Sequence, residues 1–128
     1  MTKQVIRTET APAPFQGAPY NQAIVANGFV FVSGQVALRP GEKELLDGGI
    51  AVQTEQVLNN LEAILIAAGS SFANLVKTTV FLQNLGDFAA MNEVYAARIG
   101  DTPPARSTVE VAKLPSGALI EIEAVATV

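Results

Sequence analysis

Most of what looks chemical in this chain lies between Pro103 and Glu121, PPARSTVEVAKLPSGALIE, in a sequence with no histidine and no cysteine. Pro103 and Pro104 fix φ and donate no N–H, so the chain is expected to reach Arg106 along a stiff, non-helical path. A guanidinium suits a carboxylate because two of its N–H groups bond both oxygens in one plane. Glu121 sits in the alternating run Leu119 to Val125, which places Glu121 and Glu123 on one strand face and Ile120, Ile122 and Ala124 on the other. Two neighbouring carboxylates raise at least one pKa, which suits proton transfer near neutrality. Arg106 and Glu121 together suggest a site that binds a small acid and handles a proton. The plainer alternative is a structural ion pair between them.

Three further residues are placed by the elements around them. Tyr20 follows the broken stretch Thr8 to Pro19, where Pro12, Pro14, Gly17 and Pro19 exclude regular structure, and it offers a ring and a hydroxyl. Ala23–Ala26 and Phe29–Ser33 flank Asn27-Gly28, the signature of a type I′ hairpin. Ser33 ends the second strand, and Gly34 beside it permits a bulge or a close backbone approach. Asn92 falls in a helix expected over Phe88–Ile99, N-capped by Asp87 and off its apolar stripe of Phe88, Met91, Tyr95 and Ile99.

The remaining pattern supplies the frame. Gln4–Arg7 reads as a short strand and Leu38–Gly49 as a surface loop. From Ile50, Val57, Leu58, Leu61, Ile64, Leu65 and Ala68 share one helical face, read as core packing, with Gly69 as the stop. Leu75–Gln83, Ser107–Val111 and Leu119–Thr127 read as strands. The economical arrangement is α+β, a single mixed β-sheet with two helices on one face, formed by one domain spanning residues 1–128.

Composition narrows the function. Apolar residues make up 49% and charged residues 16% of the 128, so some apolar surface is expected to be buried against other subunits. A net charge of −4 with eight scattered Lys and Arg disfavours nucleic acid and an acidic lipid surface. The absence of Cys removes thiol chemistry and disulfides, and with no His either, Cys/His zinc sites. The first ten residues carry no apolar core of signal-peptide length, so a cytoplasmic location is expected.

The segments APYNQAIVANGFVFVSGQ, GIAVQTEQVLNNLEAILIAAGSSFANLVKTTVFL, FAAMNEVY and PPARSTVEVAKLPSGALIEIEAVA, in that order, resemble the RidA family, also called YjgF; the last segment is the most specific. The resemblance implies a chorismate-mutase-like fold assembled as a homotrimer with ligand clefts between neighbouring subunits. It also implies 2-iminobutanoate/2-iminopropanoate deaminase activity, the hydrolysis of reactive enamines and imines to 2-oxo acids and ammonia, with no cofactor. By matching position, Arg106 clamps the substrate carboxylate and Glu121 directs the attacking water. Tyr20, Ser33 and Asn92 line the cleft, and Thr108 stands where many active members have cysteine. The rival expectation is a non-catalytic trimer that binds small 2-oxo acids or amino acids. RNA cleavage is disfavoured by the acidic charge and the lack of histidine.

Overall fold

Asn27 and Gly28 both adopt positive φ, 52° and 81°, the backbone that a two-residue type I′ turn demands. They join β2 (Ala23–Ala26) to β3 (Phe29–Gln35) with Ala26 opposite Phe29. The computed structural model describes residues 2–128, and its other elements are β1 (Gln4–Ile6), α1 (Gly49–Ala67), β4 (Leu75–Leu82), α2 (Phe88–Ile99), β5 (Ala105–Glu110) and β6 (Ile120–Thr127).

The six strands form one mixed sheet in the order β1-β2-β3-β6-β4-β5. Only β4 and β5 pair in parallel, and α2 supplies the crossover that a parallel pair needs. Because β6 runs antiparallel to both β3 and β4, those two strands are also parallel to each other, and α1 is their crossover. Both helices therefore lie on one face. Val57, Leu58, Leu61, Ile64 and Leu65 of α1, each at most 1% exposed, meet Val30, Val80, Leu82, Ile120, Ile122 and Ala126 of the sheet. Each of these Val, Leu and Ile side chains contributes about 1.5–3 kcal/mol by leaving water.

Burial along β6 alternates as the sequence requires, with Ile120, Ile122 and Ala124 under the helices and Glu121 and Glu123 on the open face. The expected α+β architecture holds, and several boundaries differ. β3 continues through Ser33 to Gln35, because one extra residue between Val32 and Gln35 bulges rather than ends the strand. β5 begins at Ala105, so Arg106 is a strand residue held by its pairing with Thr78, not by the proline turn alone. In β4 a register shift between Leu75 and Lys77 leaves Val76 exposed while Leu75, Thr78, Val80 and Leu82 face the helices. Asp87 precedes α2 but makes no capping bond; Asn84 Oδ1 accepts the Gly86 N–H in the short turn before it.

The helix α1 does more than pack. Gln53 and Asn60 are buried on it. Asn60 Nδ2 donates to the carbonyls of Val36 and Leu38 at 3.1 and 2.9 Å. Gln53 Nε2 donates to Leu46 and its Oε1 accepts the Leu119 N–H. These amides fasten the loop after β3 and the entry to β6 onto the helix, so that groups buried without water still have partners.

Gln22 does the same for the long loop before β2. Its side chain is 4% exposed; Nε2 reaches the carbonyls of Thr8, Ala11 and Pro12 at 3.0, 3.2 and 2.7 Å, and Oε1 accepts from Thr8 N–H at 2.7 Å. The sequence expectation that this loop holds no regular structure is corrected by one short 3-10 turn at Phe15–Gly17; the prolines bar anything longer, and this single amide ties down the stretch before it. Gln22→Leu leaves those backbone groups unpaired, and the expected cost is about 1–3 kcal/mol. Thermal unfolding checks this as a midpoint lowered by roughly 5–10 °C; an unchanged midpoint contradicts the role.

Candidate functional site

Glu121, Tyr20 and Ser33 come together in the structure. All three line a cavity of about 570 Å³ on the open side of the sheet, walled by Pro12, Phe15, Leu38 and Pro115 and shared with Glu123. The Ser33 hydroxyl donates to the Asn21 carbonyl at 2.6 Å and its N–H donates to Gln22 at 2.9 Å, which ties the β3 bulge to the start of β2. Tyr20 is half exposed, and its hydroxyl oxygen accepts the Phe15 N–H at 2.6 Å. With that lone pair engaged, the phenolic proton remains available to a ligand.

Among the described residues no hydrogen bond or ion pair holds the Glu121 carboxylate. Its pKa is raised above the ordinary carboxylate value, first by burial and second by the negative charge of Glu123. Both causes disfavour the charged form. A carboxyl in this condition holds its proton to higher pH than a free carboxylate does.

Arg106 is elsewhere. Val80 pairs with both Ile122 and Thr108, and Thr78 with both Ala124 and Arg106. Arg106 and Thr108 therefore share the helix side of the sheet, while Glu121 takes the open side. The guanidinium carbon lies 4.8 Å from the Tyr95 ring centre and 5.6 Å from that of Phe88, both on α2. Tyr95 is itself fixed by a buried 2.6 Å hydrogen bond between its hydroxyl and that of Thr78. No carboxylate lies within salt-bridge distance of Arg106 among the described residues, so the intrachain ion pair with Glu121 is excluded.

The other two expected residues lie on the two elements that frame Arg106, α2 and β5. Asn92 lies on α2, one turn after Phe88 and three residues before Tyr95, and is half-buried. Thr108 places its hydroxyl out of solvent with no hydrogen-bond partner among the described residues. The expected residues thus fall into two separate groups: Tyr20, Ser33 and Glu121 around the open-side cavity, and Arg106 and Thr108 on β5 with Asn92 on α2. Sequence reasoning missed the supports. A lone Gln22 in a loop gives no signal, and Phe88 and Tyr95 read as core because their stripe is apolar.

Six strands in one mixed sheet with two crossover helices on one face define the fold class. The family model described as endoribonuclease L-PSP matches residues 8–128, and the chain belongs to that family, which includes the Rid and YjgF proteins. A RutC family protein of Pyrococcus horikoshii is 52% identical over 97% of each chain. The human 2-iminobutanoate/2-iminopropanoate deaminase is 42% identical over 98% of this chain and 90% of its own. Among solved structures, a putative endoribonuclease of Thermotoga maritima superposes with a TM-score of 0.94 at 46% identity, covering 99% of this chain and 98% of that one. TdcF of E. coli with bound serine gives 0.89 at 38% identity, covering 98% of each.

Proposed function

We propose that this protein hydrolyses reactive 2-enamine and 2-imino acids, such as 2-iminobutanoate and 2-iminopropanoate, to 2-oxo acids and ammonia, in clefts between the subunits of a homotrimer. The observation that carries the reading is Arg106: a guanidinium seated on two rings, without a carboxylate partner, two residues from a buried unpaired hydroxyl. Relatives named for this deaminase activity, at 42% to 45% identity over nearly the whole chain, support it.

Arg106 and Glu121 lie on opposite sides of one sheet, so a single chain cannot present both to one small ligand. In the proposed cleft, Arg106, Asn92 and Thr108 of one subunit face Tyr20, Ser33 and Glu121 of its neighbour, and the exposed Phe31 and Val109 of the open face are covered. The arginine fork holds the substrate carboxylate. Glu121 takes a proton from water as its oxygen adds to C2, giving a tetrahedral carbinolamine. Tyr20 closes the cavity over the ligand. Return of that proton to nitrogen lets ammonia leave while the carbinolamine O–H gives its own proton to Glu121 and the C2–O bond becomes a carbonyl. The substrate is already electrophilic, so positioning and proton transfer suffice, the latter worth roughly 10²- to 10⁴-fold.

The rings under Arg106 give a direct test. Phe88→Ala removes one of the two faces that hold the guanidinium, and about 0.5–2 kcal/mol of cation–π attraction goes with it. The expected result is a KM for 2-iminobutanoate raised roughly 2- to 30-fold with kcat nearly unchanged; a KM equal to wild type contradicts the clamp.

A second reading is favoured by the serine carried by the E. coli neighbour: a non-catalytic trimer that binds amino acids or 2-oxo acids in the same cleft. Arg106 alone serves a binder, whereas the raised pKa of Glu121 serves turnover. RNA cleavage, the activity in the family model's description, has weaker support, since the net charge is −4 and the chain has no histidine. Salt-sensitive RNA binding at physiological ionic strength is the finding that revives it.

A further inference from the structure

Gly34 has no backbone reason to be glycine. Eight of the ten glycines adopt positive φ, and Gly34 is not among them, so an alanine there meets no left-handed strain. Nor does the bulge require it, since a glycine is demanded only by the left-handed type. The reason lies above it. A Cβ at Gly34 falls 2.8 Å from Glu121 Cδ and 3.1 Å from Cγ, and closer still to Oε2. That oxygen occupies the volume of the missing side chain.

We infer that Gly34 is a positioning residue, whose absent side chain at the β3 bulge is the seat of the Glu121 carboxylate and fixes where the proton-handling group stands in the cavity. The atoms that an alanine displaces are the far end of a flexible side chain, so the displacement falls on the carboxylate and spares the fold. The three heavy atoms nearest that Cβ position all belong to Glu121. The titratable groups lining the same cavity are Glu123 on the same strand and Tyr20 on the preceding loop. A carboxylate pushed out of the seat moves toward solvent and loses the burial that raises its pKa.

The inference rests on the proposed deaminase reading for its rate, but not for its geometry. The experiment compares four proteins: wild type, Gly34→Ala, Glu121→Ala and the double variant. In the wild-type background Gly34→Ala is expected to lower kcat/KM for 2-iminobutanoate by roughly tenfold or more, with the acid limb of the pH–rate profile moved to lower pH. In the Glu121→Ala background the same substitution is expected to change the residual kcat/KM by less than about threefold, because its target is gone. Equal losses in both backgrounds mean a general structural role and overturn the inference, as does a wild-type rate in Gly34→Ala. A ¹³C titration of the Glu121 carboxyl supplies a readout independent of turnover. Its midpoint is expected to fall toward the ordinary carboxylate range in Gly34→Ala; an unchanged midpoint overturns the seat. If wild type hydrolyses no imine while that midpoint moves, the deaminase reading fails and the seat stands.

Discussion

Arg106→Lys is expected to cut kcat/KM for 2-iminobutanoate by roughly 10²- to 10³-fold, although the charge is kept. A lysine is a point charge on a flexible stem, and it cannot present two parallel N–H groups to one carboxylate. Nor can it lie flat between two rings. Arg106 now has the Tyr95 ring at 4.8 Å and the Phe88 ring at 5.6 Å, a planar seat matched to a planar group. The fold should tolerate the change, because the Arg106 backbone is held by β4 whatever the side chain. Ammonia release coupled to a threonine dehydratase measures the rate, and a thermal melt confirms that the variant is folded. A lysine variant with wild-type rate and affinity contradicts the clamp.

Glu121→Gln is expected to lose roughly 10²- to 10⁴-fold in turnover and, at pH 7, to melt higher than wild type. Both follow from one condition. Burial and then Glu123 raise the folded-state pKa of Glu121, so the folded protein binds its proton more tightly than the unfolded chain does. Stability is then greatest below the unfolded carboxylate pKa and falls as pH rises through the window up to the raised folded value. Above that window the charged carboxylate is a burden on the fold, and a neutral glutamine removes it. Turnover runs the other way: a base must be ionised to accept a proton, so the rate falls as pH drops through the raised pKa. Wild type should therefore gain stability and lose activity together on acidification, and the glutamine variant should show neither slope in that range. A variant that melts lower at pH 7 with an unchanged pH slope contradicts this assignment. Retained 2-oxobutanoate binding in the same variant separates a lost catalyst from a lost site.

The frame was legible because its signals are local. Asn27-Gly28 specifies its turn, the Val57 to Leu65 stripe specifies a buried helix face, and alternation from Ile120 to Ala124 assigns Glu121 and Glu123 to the open side. Where the chain departs from its pattern, the cause is an irregularity that periodicity does not encode. The bulge at Ser33-Gly34 lengthens β3, and the shift near Val76 re-aims β4. The separation of Arg106 from Glu121 is of this kind. It depends on strand order and register across β6, β4 and β5, and the exposed strand β5, unlike β6, carries no apolar alternation to say which face Arg106 takes. The fastening amides of Gln22, Gln53 and Asn60 were silent too, since their partners are backbone carbonyls and N–H groups that every residue type offers.

The proposal that the two half-sites meet only between subunits is tested most directly by mixing two inactive variants. Arg106→Ala and Glu121→Gln chains are unfolded, combined in equal amounts and refolded together, beside each variant refolded alone. With random assembly, a working cleft needs an intact Arg106 from one chain and an intact Glu121 from its neighbour, so about one quarter of clefts are whole. Recovery of roughly a quarter of the wild-type deaminase rate, from parents with almost none, is the expected result. A mixed preparation as inactive as its parents, although shown to contain both chains in one assembly, contradicts the composite site.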